Sequence, residues 1–156
     1  MPIHNLINLE QTPQGNVLSS KPLQIIGPRI PVAVSVPPAL ATWLQEQGRV
    51  VPTSISGTAL IDTGATVTCV DRDVITTLGV SPVGAVRVFT PSGDEEQAQY
   101  PAHLDFPGTS LPGLDLASAL GSTLKAQGII ALIGRDALAH MVLVYHGPLG
   151  ICTLAL

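Results

Sequence analysis

One aspartate stands where a reactive carboxylate could be held on a rigid base. Asp62 directly follows a short apolar run at 59–61 and precedes Thr63 and Gly64. Such a run is typical of a buried strand, and a glycine beside the carboxylate lets other backbone groups approach closely. Asp, Thr and Gly are also ordinary turn residues, so these three residues by themselves favour a simple turn at the end of a strand.

A second apolar run ends in a similar way further along the chain. Residues 131–133 lead into a Gly-Arg-Asp sequence at 134–136, and 72 residues separate Asp62 from Gly134. Between the two runs, residues 83–106 alternate in polarity on both sides of a polar, glycine-containing segment at 90–96. This is the pattern of a long β-hairpin. We therefore expect two loops at strand ends with a hairpin between them.

Composition limits what surrounds these loops. The chain has 156 residues, 46% of them hydrophobic and 12% charged, which excludes a disordered chain and allows one domain with a real core. We expect that domain at 28–156, with residues 1–27 as an N-terminal extension or edge segment. The net charge is −4 and the seven basic residues are scattered, so no basic patch predicts nucleic-acid binding.

The sequence predicts no metal, cofactor or membrane partner. Cys69 and Cys152 are far apart and suggest small buried hydrophobes in a reducing compartment. The four histidines lie in different segments without metal-like spacing, and no phosphate-binding glycine loop occurs. No window reaches the roughly 18 to 20 apolar residues of a spanning helix, and residues 1–10 lack signal-peptide features. We therefore expect a cytoplasmic protein.

The remaining pattern predicts a mainly β fold with two or three short helices. We expect helices at 38–48, with proline in its first turn, at 71–78, with Asp71 as N-cap and Gly79 as its stop, and at 136–141, capped by Asp136. Residues 23–26 suggest a short strand. The segment 118–127 is compatible with either a strand or a helix.

Taken in order, these elements resemble the retropepsin-like aspartic protease family over about residues 30–156. That family carries an apolar pair before Asp-Thr-Gly-Ala, a flap hairpin, and an apolar pair before Gly-Arg-Asp and a short helix. The matching residues here are Leu60, Ile61, Asp62, Thr63, Gly64, Ala65, a hairpin tip near 91–95, Leu132, Ile133, Gly134, Arg135 and Asp136. The resemblance implies a retropepsin-like, closed β-barrel-like domain.

The resemblance also implies a reaction. One subunit supplies one Asp62, so two subunits must meet for a pair of carboxylates to form. Like charges at hydrogen-bond distance cannot both ionise, so the pair shares one proton. The ionised partner then activates a water while the protonated one polarises the scissile carbonyl. The expected function is an aspartic endopeptidase acting on a peptide or protein substrate, with the hairpin at 86–102 closing over it as a flap.

Supporting roles follow from the same resemblance. Thr63 would hydrogen-bond across the two-fold axis of the homodimer, and Gly64 would let backbone groups approach the carboxylates. Gly134 would pack beneath the catalytic loop, where only a small residue fits. Arg135 would tie that loop to the rest of its subunit. Many viral members carry an acid directly after Asp-Thr-Gly-Ala to pair with this arginine, but Thr66 stands there, which leaves the partner of Arg135 open.

Two further assignments concern substrate and partner. The hairpin tip supplies candidate substrate contacts at Pro91, Ser92, Gly93 and Asp94, although it is more polar than the viral flaps. The apolar strand at 151–156 would invite pairing if left on an open edge, and the family uses terminal strands in its dimer sheet. We therefore assign 151–156 to the dimer interface, with a simple core strand as the alternative.

A second function remains compatible with this fold. A non-catalytic peptide-binding or dimerisation module would share the architecture and the hairpin but would turn over no substrate. The intact Asp62 favours the enzyme, because a binding module has no need for a carboxylate pair.

Overall fold

The computed structural model describes residues 1–90 and 93–156. The fold is mainly β with short helices, which confirms the predicted class. The strands are β1 (Ile3–Ile7), β2 (Leu9–Thr12), β3 (Gly15–Leu18), β4 (Arg29–Ser35), β5 (Ile55–Ile61), β6 (Cys69–Asp71), β7 (Gly84–Thr90), β8 (Gly93–Asp105), β9 (Leu114–Ser122), β10 (Ala131–Ile133), β11 (Val142–His146) and β12 (Ile151–Ala155). The α-helices are α1 (Ser20–Ile26), α2 (Pro38–Glu46), α3 (Arg72–Leu78) and α4 (Arg135–Leu138), with 3₁₀ turns at Lys125–Gln127 and Gly147–Leu149.

The largest sheet closes on itself. Its strand order is β4-β5-β10-β6-β9-β8-β7, and β4 also pairs with β8, so six strands form a barrel-like ring with β7 added as the outer arm of a hairpin. The interior holds fully buried aliphatic side chains from several strands, namely Ile30, Val32, Val34, Val70, Leu104 and Ile133. The predicted closed, barrel-like arrangement is therefore present.

Strands β5 and β10 position the two motif loops. They run parallel and in register, with Ile61 opposite Ile133. Parallel neighbours end at the same edge of a sheet, so the residues that follow them must lie together. Asp62 and Gly134 therefore begin adjacent loops, although 72 residues of chain separate them.

The predicted strand at 23–26 is wrong, because these residues belong to helix α1. The Ser19 hydroxyl accepts the Lys21 amide at the helix start, and Gly27 ends the helix at a φ of 74°. Leu23 is buried, whereas Ile25 is 76% exposed. A short Leu-Gln-Ile-Ile run suits either element by pattern, and the cap upstream together with burial of one helical face decides between them.

The other helices follow the sequence closely. Helix α2 is as expected, and α3 is confirmed with Asp71 as its N-cap and Gly79 in the left-handed conformation at its end. Helix α4 differs, because it begins at Arg135 with Gly134 in the N-cap position. Asp136 therefore lies inside the first turn, where its carboxylate still accepts the Ala137 amide at 2.8 Å. With α1, the described residues hold four short α-helices where two or three were expected.

The chain termini form a separate three-stranded antiparallel sheet. Its order is β1-β12-β11, with β12 in the centre. Both edges of β12 are hydrogen-bonded within the chain, to β1 and to β11. The premise that 151–156 is an open edge is therefore wrong, since the free edges belong to β1 and β11. Residues 1–27 also contribute Leu6 and Leu23 to the core.

The segment between the motif loops is a hairpin and a long strand. β7 and β8 pair antiparallel from Gly84 opposite Gln99 to Thr90 opposite Gly93, which confirms the predicted hairpin. Its tip residues Pro91 and Ser92 lie outside the described residues. The ambiguous segment 118–127 continues strand β9 to residue 122 and then forms a 3₁₀ turn.

Candidate active site

The loop after β5 holds the Asp62 carboxylate in a fixed position. The Asp62 amide donates to the Ile133 carbonyl at 3.0 Å, which ties the loop to the end of β10. The Gly64 amide donates to Asp62 Oδ1 at 2.8 Å, and a Cβ at Gly64 would lie 3.0 Å from that oxygen. Asp62 itself is half-buried. Its side chain is thus oriented by the backbone of its own turn and retains solvent access.

Gly134 lies against the backbone of the Asp62 loop. A Cβ added at Gly134 would come within 2.6 Å of the Val67 carbonyl carbon and 2.9 Å of the Thr68 nitrogen. Real Cβ atoms do not approach backbone this closely, so any larger residue would push the two loops apart. The buried Gly134 therefore sets the distance between the motif loops.

Arg135 fixes the Asp62 loop by hydrogen bonds from its guanidinium and its amide. Its Nη2 donates to Thr66 Oγ1 at 2.9 Å and its Nη1 to the Thr63 carbonyl at 3.2 Å, with the Gly64 carbonyl at 3.5 Å. The Arg135 amide also donates to the Ala65 carbonyl at 2.9 Å. The partner of Arg135 is therefore the loop itself, through backbone carbonyls and the Thr66 hydroxyl.

Asp136 joins the same two loops through Thr68. The Thr68 amide and hydroxyl both donate to Asp136 Oδ1, at 2.9 and 2.7 Å, and the Thr68 hydroxyl accepts the Gly134 amide at 3.1 Å. Thr68 is fully buried. Sequence reasoning did not identify Thr68 as part of the site. Its signal was a lone hydroxyl residue in the apolar run 67–70, since a buried hydroxyl needs a partner.

Thr63 is exposed, as is the neighbouring Gly64. No hydrogen bond of its hydroxyl to another residue occurs within 1–90 and 93–156, while its carbonyl accepts from Arg135. Its backbone is thus fixed and its hydroxyl is available to a group outside this chain.

A cleft of about 580 Å³ lies between the Asp62 loop and the hairpin. Its lining comes from that loop, from β6 and β9, and from the two hairpin strands, and comprises Gly64, Ala65, Thr66, Val67, Cys69, Val86, Arg87, Val88, Phe89, Gln97, Leu120 and Ser122. Of the predicted tip residues, Gly93 and Asp94 are absent from this lining. The cleft has the size of a site for a small ligand or a few residues of peptide.

The register of the hairpin shows which side chains face the cleft. Val86 is opposite Gln97, and Gln97 lies close enough to accept a hydrogen bond from the Ser122 hydroxyl at 3.4 Å. Because side chains alternate along a strand and cross-strand partners share a face, Val86, Val88, Gln97 and Glu95 lie on one face of the hairpin. Arg87 and Phe89 alternate with the two valines and also line the cleft, so the hairpin brings both apolar and charged residues to it.

Cys69 lies in the same cleft. Burial raises the pKa of the Cys69 thiol, a hydrogen bond with Ser122 lowers it in part, and the nearby Asp136 and Asp62 carboxylates raise it further. The thiol therefore stays protonated at neutral pH and behaves as a small apolar group.

The described residues contain neither a metal-binding cluster nor a membrane-spanning helix. Within 1–90 and 93–156, no group of three or more His, Cys, Asp or Glu side chains is placed to hold a metal ion. In the same ranges, no helix has the length and apolar character required to cross a membrane.

Comparison with known proteins gave one kind of match. No family model matches the chain, and no curated protein matches it. Among solved structures, it is similar to the solution structure of simian foamy virus (mac) protease, with 18% identity, a TM-score of 0.42, and coverage of 70% of this chain and 91% of that chain. A function for this chain has to be argued from its own loops and cleft.

Proposed function

We propose that this protein is a homodimeric aspartic endopeptidase. The observation that carries the proposal is a half-buried carboxylate, Asp62, on a loop held in place by Arg135, by Gly134 and by the Asp136–Thr68 pair, beside a cleft of about 580 Å³. Rigid support around one solvent-accessible carboxylate is what a catalytic group needs.

The mechanism requires a second Asp62 from a partner subunit. Two facing carboxylates share one proton, so the pair holds one base and one acid. The base removes a proton from a bound water as that water attacks the scissile carbonyl carbon, and the acid protonates the carbonyl oxygen. As the C–N bond breaks, the proton taken from the water passes to the leaving amine, and the carboxylate that acted as the acid takes a proton back from a hydroxyl of the gem-diol intermediate. No covalent intermediate with the enzyme forms.

The free Thr63 hydroxyl supports the dimer. Its backbone is fixed by Arg135 and its side chain is exposed, so it is available to the facing loop of a partner. A hydrogen bond there would set the separation of the two Asp62 side chains.

The terminal region supports a second part of the interface. Of the 17 exposed large hydrophobic residues in the described chain, 12 lie in 1–26 and 142–149. On the outer face of the terminal sheet, Ile3 and Val142 flank Ala155, and Ile7 lies beside Ile151. Exposed apolar patches of this kind mark interaction sites. We place this part of the dimer interface on the outer face of the terminal sheet and on the outer edges of β1 and β11. The partner subunit would then cover residues 151–156 by side-chain contacts and form no backbone hydrogen bonds with β12.

The hairpin is the proposed flap. Val86 and Val88 face the cleft over the Asp62 loop, so an extended substrate would lie between them and that loop. The hairpin is joined to the body by the Gln97–Ser122 hydrogen bond and by the Arg72–Glu95 ion pair at 3.6 Å. The hydrogen bond is long and part-buried and the ion pair is exposed, and a surface ion pair is weak enough to break when the hairpin moves.

Cleavage of a broad peptide library between pH 3 and 8 tests the proposal. We expect cleavage by the wild type and none by Asp62→Asn, with the dimer retained in sedimentation. Asp73→Asn is the matched control, because Asp73 is an exposed acid paired with Lys125 on the surface. Activity per subunit should fall on dilution as the dimer dissociates.

Two results would contradict this function. Cleavage that survives in Asp62→Asn would exclude Asp62 as the catalytic group. A wild-type dimer that binds peptides from the library but cleaves none of them would favour the peptide-binding module instead.

A further inference from the structure

A second concave site lies between helix α2 and the segment after α3. It encloses about 740 Å³ and shares no residue with the cleft beside Asp62. Its lining is mostly apolar and comprises Val36, Leu40, Trp43, Leu44, Arg49, Val50, Pro52, Thr77, Leu78, Gly79, Val80, Ser81 and Pro101. We call this site the α2 groove.

The α2 groove has an apolar floor and an exposed apolar rim. Val36, Leu78 and Val80 form the floor and are at most 8% exposed, whereas Trp43 and Val50 on the rim are 47% and 90% exposed. Helix α2 contains no fully buried residue, and Leu40 and Ala41 are only partly buried where they pack against the core, so part of its apolar side remains open. Covering this open apolar surface with a ligand removes it from water, which lowers the free energy of the complex.

One cation stands at the rim. Arg49 is the only charged residue of the lining, and its guanidinium lies 5.8 Å from the centre of the Trp43 ring. Its amide donates to the Leu44 carbonyl at 2.8 Å, which fixes its backbone at the end of α2. Within the described residues, no carboxylate forms an ion pair with Arg49. Its guanidinium is therefore held by an aromatic face while its N–H donors remain available.

The other polar groups of the lining are few. Thr77 and Ser81 are its only hydroxyl residues, and the Thr77 hydroxyl already donates to the Asp73 carbonyl at 2.7 Å. A peptide backbone would bring an N–H and a carbonyl at nearly every residue, each of which needs a partner when covered. The lining thus favours a ligand whose polarity is confined to one end.

We propose that the α2 groove binds an aliphatic monocarboxylate. The hydrocarbon chain lies over Val36, Leu78 and Val80, and the carboxylate accepts hydrogen bonds from Arg49 at the rim. Both the volume and the combination of an apolar wall with one charged group are typical of small-molecule sites, and an arginine–carboxylate pair is among the stronger polar contacts. This site is independent of the proposed protease activity.

The single tryptophan makes the proposal directly measurable. Trp43 is the only tryptophan of the chain, so its fluorescence reports on the rim of the α2 groove alone. Decanoate, kept below its micelle concentration, should give a saturable change in emission, and decanol should bind more weakly. Arg49→Gln should weaken decanoate binding by about tenfold, the loss of one hydrogen-bonded charge pair, and leave decanol unchanged. Arg49→Lys should keep part of the preference.

Two control variants separate this site from the rest of the molecule. Arg72→Gln removes a guanidinium that contacts the Gly121 carbonyl instead of the groove, and Asp62→Asn removes the proposed catalytic group. Both should bind decanoate as the wild type does. The inference is overturned if emission does not saturate, if decanol binds as tightly as decanoate, if Arg49→Gln keeps the preference, or if a short apolar peptide with a free C-terminus binds more tightly than decanoate.

Discussion

Asp136 and Thr68 are joined twice, since both the amide and the hydroxyl of Thr68 donate to one carboxylate oxygen, at 2.9 and 2.7 Å. The Thr68 hydroxyl then accepts the Gly134 amide. A single buried hydroxyl thus connects the loop after β5 to the loop after β10. The connection joins the two motif loops, although neither residue hydrogen-bonds to the Asp62 carboxylate.

Replacing Thr68 with valine should destabilise the protein, although the two side chains have almost the same shape. The substitution removes the hydroxyl and leaves the buried Gly134 amide without its partner, which costs about 1–3 kcal/mol. Asp136 is exposed and loses one donor but keeps the Thr68 and Ala137 amides. Thr68→Ser keeps the hydroxyl and should retain most of the stability. Urea unfolding of Thr68→Val and Thr68→Ser checks this, and equal stability of the two variants would show that the hydroxyl has no such role.

Replacing Gly134 with alanine should displace the Asp62 loop. The new Cβ would lie 2.6 Å from the Val67 carbonyl carbon, and overpacking of this kind typically costs about 1–3 kcal/mol. The clash is with backbone atoms, which cannot rotate away as the end of a flexible side chain can, so the Asp62 loop has to shift. We therefore also expect loss of any activity that depends on Asp62. Gly147→Ala is the matched control, since its Cβ would meet Tyr145 at an ordinary 3.6 Å. Equal melting temperatures of the two variants would contradict the close contact.

The Cys69 thiol should report occupancy of the cleft. Burial raises its pKa, so alkylation should be slow at pH 7 and accelerate at higher pH than for a free thiol. A peptide bound in the cleft should protect it. Cys152 is fully buried, so Cys69→Ser should abolish labelling of the native protein. Labelling of wild type that a bound peptide does not slow would place the peptide elsewhere.

His103 should make stability depend on pH. Its Nδ1 lies 2.6 Å from Asp115 and its Nε2 lies 3.2 Å from Asp105. Burial by itself lowers the pKa of His103, but hydrogen bonds to Asp115 and Asp105 and their charges outweigh that effect and raise it above its ordinary value. The folded protein therefore holds this proton more tightly than the unfolded chain does.

The sign of the effect follows from that difference. Stability contributed by His103 is fully present below the unfolded pKa of about 6.5 and is lost as pH rises through the higher folded pKa. Unfolding free energies measured by urea from pH 5 to 9 should therefore show an advantage of wild type over His103→Gln that shrinks with rising pH. An advantage that is constant or grows with pH would contradict the paired imidazolium.

Much of the local structure could be predicted because its determinants are close in sequence. Helix α3 begins and ends where Asp71 and Gly79 predict, because a cap and a left-handed glycine act within one turn. The hairpin β7–β8 follows from alternation of neighbouring side chains. The prediction for 23–26 was wrong where four residues suited two elements equally and burial against distant strands decided.

The candidate site also combines features that local sequence predicts with features that depend on distant residues. Its first half was predictable, because Asp62 and the Gly-Arg-Asp sequence at 134–136 each follow an apolar run that is typical of a strand. The role of Thr68 was not, because a hydroxyl acquires its partners only when β6 and β10 pair. Arg135 was expected to hold the Asp62 loop, but its partners were open, because its contacts with Thr63 and Thr66 join residues about 70 positions apart.

The sequence by itself thus determined which residues can do chemistry here and which local elements carry them. Tertiary structure alone decided what those residues contact. It placed Asp62 beside Gly134 through parallel pairing of β5 and β10, and it put β12 in the centre of the terminal sheet. It also opened the α2 groove beneath Trp43. Local preferences act over a few residues, whereas these arrangements depend on which surfaces the whole chain buries together.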